Sequence, residues 1–173
     1  GKVYSLAGTV QRDSEVTVSA ESEIKITNHI QYEDYTPAVG TPGVAGYVPP
    51  NASDTKNLLG ILSWSGDVLI STSAPSNINI HGIVLARNGV FQVDNYSGSK
   101  VRGTATLLGG AITQFYGAFG TFNGSGQMSS GYGRNFVYDD RALTGSSPPY
   151  FPTLDTYTSF SNDIMDKIIW QEG

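Results

Sequence analysis

Residues 66–84, GDVLISTSAPSNINIHGIV, place two short alternating runs, VLI and INI, on either side of a polar segment that no helix would choose, and then resume at Gly82 with another apolar run. Residues 14–30, SEVTVSAESEIKITNHI, have nearly the same form. Val16 and Val18 match Val68 and Ile70 at an offset of 52, and Ile24, Ile26 and Ile30 match Ile78, Ile80 and Val84 at an offset of 54. Self-similarity of this kind constrains the fold more than any single residue does, because a unit that cannot bury its own apolar face must stack on a copy of itself.

After Gly60 the punctuation is regular. GILSWS (60–65), GDVLIS (66–71) and NINIH (77–81) read as three short strands with corners between them. GIVLAR (82–87), GVFQVD (89–94) and GTATLLG (103–109) repeat the set, and GGAITQ (109–114) with YGAFGTF (116–122) begins a third. Corresponding strands recur after 22 to 28 residues, each alternating inward and outward positions as half-buried strands do. Glycine at the start of each strand suits a corner where the backbone turns sharply or passes close to its neighbour. An antiparallel sandwich also offers short strands joined by turns. The three-strand set, however, repeats as a unit, which favours a short single-stranded right-handed parallel β-helix, a β-solenoid of about four coils. Handedness rests only on the general preference of parallel crossovers.

Composition agrees with an all-β chain: 21 glycines, ten Tyr and seven Phe accompany only 14% charged residues in 173. That length suits one domain, 1–173, with the first coil or coils at 1–32, an inserted loop at 33–57, the main coils at 58–122 and a capping tail at 123–173. The loop holds four prolines and few alternating positions, and the tail would cover an open end of the stack. SFSNDIMDKIIWQE, at its end, reads as a short helix followed by an edge strand. A chain without Cys has no disulfides and no thiolate chemistry. A net charge of −5 with scattered Lys and Arg disfavours a nucleic-acid partner, and no apolar run is long enough to span a membrane. Any export signal or anchor would lie upstream of Gly1.

The succession GGAITQFYGAFGTF, GYGRNFVYDDRAL, PPYFP and KIIWQE resembles an uncharacterised domain family of bacterial proteins that often carry a prepilin-like N-terminus and are described as pilus-assembly or pilin-associated. ITNHIQYED and LLGILSWSGDVLI are similar to the family's ITGxIxYED and DxLGLIAxxDVxI segments, so the likeness covers most of residues 14–173 in order. It departs in the 35–57 loop and in the extra TLDTYTSFSNDI. The resemblance implies an extracellular or cell-surface location, an upstream anchor or pilin-like segment, and a β-solenoid-like body; it carries over no catalytic residues.

Candidates for chemistry are few, and no catalytic residue, metal site or cofactor is expected. His29 and His81 fall at similar points of the two echoing stretches, but no EH or HxH spacing and no third ligand accompany them. Asp139 and Asp140 beside Arg141, like Glu33 and Asp34, would point to opposite faces of a strand, so they are read as structural. Outward strand positions are small and polar (Thr17, Asn79, Gln92, Thr104, Thr106), with Lys25 the one charge among them. There is no GxSxG elbow or phosphate-binding glycine motif, and GSGQMSSGYG reads as a flexible turn. Aromatic rings on rigid backbone can stack on sugars. Tyr32, Tyr35 and Tyr47 in or beside the loop, with Tyr150 and Phe151 after two prolines, are therefore the binding candidates. Trp64 and Trp170 are read as core or cap. The expectation is a non-enzymatic surface or secreted module, adhesin-like or pilus-associated, contacting a polysaccharide or a surface protein. A β-helix polysaccharide lyase or hydrolase, and a purely structural pilus element, are the alternatives.

Overall fold

A computed structural model describes residues 1–152. The expected terminal helix and strand, and Trp170, lie outside the described residues. Among the described residues the protein is all-β, a ten-stranded mixed sheet that is nearly closed and barrel-like. Its strands are β1 (Val3–Val10), β2 (Glu15–Ala20), β3 (Ile24–Tyr32), β4 (Leu58–Ser63), β5 (Val68–Ile70), β6 (Asn79–Ala86), β7 (Phe91–Val93), β8 (Val101–Thr113), β9 (Gly120–Phe122) and β10 (Met128–Tyr138), followed by a 3-10 turn at Asp140–Thr144. All pairings between these strands are parallel except β9 with β10.

The parallel pairs put like on like. Ile24, Val68 and Phe91 form one row across β3, β5 and β7, and Ile26, Ile70 and Val93 form the next. Val18, Ile61, Val84 and Ala111 form a third across β2, β4, β6 and β8. Most of these side chains are fully buried in one continuous core. Strands of three residues, such as β5 and β7, have too little face to be stable alone; their burial comes from the neighbours on each side.

The observed register corrects the self-alignment drawn from the sequence. Val16 and Val18 lie on Leu59 and Ile61, whereas Val68 and Ile70 lie on Ile24 and Ile26. The apolar alternation is the same in both strands, so it could not say which strand of one set sits on which strand of the next. From β4 onward the spacing is regular, 23 residues from β4 to β6 and from β5 to β7, and 27 from β6 to β8.

Two expected pairs of strands are each one continuous strand. NINIH and GIVLAR merge into β6 through Gly82, and GTATLLG and GGAITQ merge into β8 through Gly109. These two glycines are register partners, with φ of 142° and 149°. A Cβ on Gly109 would overlap the carbonyl oxygen of Gly82, and one on Gly82 would sit 2.8 Å from the carbonyl oxygen of Leu59. The corner is therefore a column of backbone on backbone that excludes any side chain.

YGAFGTF differs from expectation. Rather than opening another parallel set, its Gly120–Phe122 turns back on Met128–Gly131 as an antiparallel hairpin. The flexible turn expected over GSGQMSSGYG is confined to its first residues, since β10 begins at Met128 and runs parallel to β8 to Tyr138.

Gly109→Ala should lower stability by about 3 kcal/mol through strained backbone and overlap. Gly110→Ala, where an added Cβ meets nothing within 4 Å, should change it by less than about 1 kcal/mol. Urea unfolding midpoints of the two variants check the contrast.

Candidate functional site

The inserted stretch 33–57 is an ordered arm. It doubles back on itself through two antiparallel bridges, Thr36 with Asn51 and Val39 with Val48, each closed by a reciprocal pair of backbone hydrogen bonds of 2.7–2.9 Å. The turn between them, 40–46, is glycine-rich, and Val44 N–H and Tyr47 N–H donate back to Thr41 and Val44 carbonyls. Val39, Val44 and Val48 face outward from the arm.

Buried polar groups pin both roots of the arm. At the outgoing root, His81 Nδ1 accepts the Tyr32 N–H at 3.0 Å. The rings of Tyr35 and Tyr32 pack on the imidazole at 4.3 and 5.3 Å, and Gln31 donates to the Tyr35 hydroxyl at 2.8 Å. His29 mirrors the arrangement, its Nδ1 accepting the Asn79 N–H at 3.0 Å. The two histidines thus act as acceptors where β3 and β6 pair only at Ile30 and Ile80. Arg12 engages both acids: its backbone N–H donates to Glu33 Oε2 at 2.7 Å, and its guanidinium pairs with Asp34 at 3.5 Å.

At the returning root, Arg141 is buried and paired with Asp139, its Nη2 lying 2.6 Å from Oδ2 and its Nε 2.9 Å from Oδ1. The same guanidinium donates through Nη1 to the Thr55 hydroxyl at 2.9 Å and the Asn57 carbonyl at 2.6 Å, and lies over the Tyr32 ring. Asn57 in turn donates to the Val10 carbonyl at 2.8 Å. Asp139 also caps the 3-10 turn through the Arg141 N–H, while Asp140 is exposed. Both oxygens of Asp139 are therefore committed to holding the arm.

Between these roots the arm crosses the outward face of the sheet and encloses a half-open groove of about 340 Å³. Its roof is Ala38, Gly40, Thr41, Pro42 and Tyr47; its floor is Asn77, Asn79, Thr104 and Thr106. None of the described residues that line it is charged. Asn79, Thr106 and Asn135 are register partners on β6, β8 and β10, so they form a row across three strands. Asn135 donates to the Tyr47 hydroxyl at 2.6 Å and to Thr106 Oγ1 at 3.3 Å, which fixes the arm to the third strand. Asn77 accepts the Thr104 N–H at 3.0 Å.

Of the five aromatic candidates, Tyr47 alone lines the groove. Tyr32 is buried at 1% exposure, its phenol pushed up to about 12 chiefly by burial, and Tyr35 packs on His81. Both serve the arm's root. Phe151 is buried against Gly60, where Thr17 donates to the Pro149 carbonyl and docks the tail on β2 and β4. Tyr150 stands 98% exposed at φ 56° in that turn, away from the groove. Trp64 is half-buried with Arg87 over its ring. Neither Asn77 nor Asn135 is among the outward positions that the sequence offers: Asn77 opens NINIH, whose first two residues form a corner instead of strand, and Asn135 falls within the expected capping tail.

Among the described residues no group of three or more His, Asp or Glu side chains converges to hold a metal ion, and no helix is long and apolar enough to cross a membrane. No family model, curated protein or solved structure matches the chain.

Burial lowers the His81 pKa to about 4, with Asp139 opposing the shift and Arg141 and His29 adding to it. The folded state thus binds fewer protons than the unfolded chain, whose histidine titrates near 6.5. The contribution is full above that value and is lost as pH falls from about 6.5 to about 4, amounting to about 3 kcal/mol. His81→Gln keeps an acceptor for Tyr32 but cannot titrate, so its urea midpoint should fall less than the wild type's between pH 7 and pH 4.5. Arg141→Met should cost about 3–5 kcal/mol by leaving Asp139 buried and unpaired, and limited proteolysis should then cut within 33–57 first.

Proposed function

We propose that the chain is a non-enzymatic binding module, secreted or displayed at a bacterial cell surface, whose groove under the arm takes a surface polysaccharide or a segment of a partner protein. The observation that carries this reading is the arm itself: buried Arg141 and His81 pin its two roots, and Tyr47 fixes its far side to Asn135 over uncharged Asn and Thr side chains. A cleft held open in this way loses little freedom on binding. Its amides and hydroxyls suit a hydroxyl-rich ligand, with Tyr47 adding an aromatic ring.

The body that carries the groove is best described as a short parallel β-helix of about four coils. The in-register apolar rows and the 23- and 27-residue returns support it. The similarity in motif order to pilin-associated domains supports surface display and a pilus-associated setting behind an upstream anchor.

A second reading, as an assembly element, draws on a different observation. At the β1 and β2 end an apolar groove of about 310 Å³ is lined by Leu6, Val16, Val18, Ile30 and Leu59, with Val16 exposed. There, among the described residues, β1 pairs only with β3, and β2 only with β4. Such an end would accept another chain of the same machine.

Retention on insoluble cellulose, chitin or xylan, or on soluble pectin, without released reducing ends or unsaturated products, is the expected outcome. Replacing 37–50 by a short Gly-Ser link should abolish it. Product formation would overturn the non-enzymatic reading in favour of a lyase or hydrolase. Concentration-dependent self-association in light scattering, with no retention, would favour the assembly element.

A further inference from the structure

The floor of the groove has a direction. Asn79, Thr106 and Asn135 follow one another from strand to strand; Thr104 lies two residues before Thr106 on β8, and Asn77 two residues before Asn79 in the corner that precedes β6. Adjacent strands lie about 4.8 Å apart, so polar groups recur at that interval across the strands. An extended, 1,4-linked pyranose chain places its hydroxyls at nearly the same interval, one sugar to each strand.

The charge of the site narrows the ligand further. Every group on the floor is an amide or a hydroxyl, and the roof adds Thr41, Pro42 and the Tyr47 ring. A uronate or sulfate brought under the arm would surrender its hydration and meet no cation among the described lining residues, which is costly for a charge. A neutral sugar loses only hydroxyl hydration, and the floor's donors and acceptors replace it. An extended peptide is a poorer fit, because the floor is the middle of the sheet. β8 is hydrogen-bonded to β6 on one side and β10 on the other, which leaves no free edge for an added strand.

Resting on the polysaccharide reading of this groove, we infer that its ligand is a neutral, hydroxyl-rich glycan lying across β6 and β8, one sugar per strand, with the Tyr47–Asn135 contact closing the β10 side. The enclosed volume is at the small end of ligand pockets, about 300–1,000 Å³. A short oligosaccharide or a chain end therefore fills it, and the polymer continues outside.

Titration calorimetry with cellohexaose, chitohexaose and xylohexaose, against hexagalacturonate, tests the assignment at about 20 and about 500 mM NaCl. The expected result is binding of at least one neutral hexamer, changing less than twofold with salt. Thr106→Val, which removes a hydroxyl at nearly constant volume, and Tyr47→Ala should each weaken it tenfold or more, and unchanged urea midpoints would show these variants to be folded. Preference for hexagalacturonate, weakened by salt, would overturn the neutral-glycan assignment while leaving a polysaccharide-binding module in place. So would neutral binding indifferent to both substitutions, since the ligand would then sit elsewhere. Absence of binding by all four hexamers would overturn the assignment together with the polysaccharide reading on which it rests.

Discussion

Everything in this protein depends on parallel strands lying on one another in register, so that each inward side chain is covered by its counterparts on neighbouring strands. Val68 and Ile70 contribute one three-residue strand, too little to bury itself, yet both are fully excluded from water because Ile24 and Ile26 lie on one side and Phe91 and Val93 on the other. Burial of an aliphatic side chain is worth about 1.5–3 kcal/mol, and here it is collected row by row. The same requirement explains the glycine corner at Gly82 and Gly109, because rows keep their register only if the backbones can touch where the strands bend.

The register also decides where polar groups can be used. Strands paired on both sides leave their outward side chains as an ordered surface, and the arm is laid over one such surface. What holds it there is a small set of buried polar groups. Arg141 satisfies Asp139, Thr55 and Asn57 at once, and His81 accepts a backbone N–H that the sheet leaves without a carbonyl. Burying such groups is unfavourable unless each finds its partners. Those partners come from β3, the arm and the residues after β10, so the contacts join three distant parts of the chain. His81 Nε2, buried without a partner among the described residues, shows that the match is incomplete at this point.

Much of the body is legible in the residues themselves. Alternating Ile and Val, glycine at corners and small polar outward positions point to short strands in an all-β chain, and Thr104, Thr106 and Asn79 are recognisable as outward-facing. The order of stacking is not legible, because Val16–Val18, Ile24–Ile26 and Val68–Ile70 carry the same alternation. The inserted arm also adds some twenty residues between β3 and β4, which displaces the first repeat from the spacing of the others. The arm's own pairing was hidden for a similar reason. Its two bridges are isolated, and four prolines interrupt any alternation around them.

Local chemistry alone thus determined which residues face inward, where the chain can turn sharply, and that the exposed strand faces carry few charges. These properties follow from side-chain period, backbone freedom and composition, each set within a few residues. Only the tertiary structure decided that Tyr32 and Phe151 are buried while Tyr47 faces a groove, that Asp139 and Arg141 secure the arm, and that Asn79, Thr106 and Asn135 form one row. Each of those outcomes depends on contacts between residues at least 27 positions apart, and the register that brings them together is selected by the packing of the whole core.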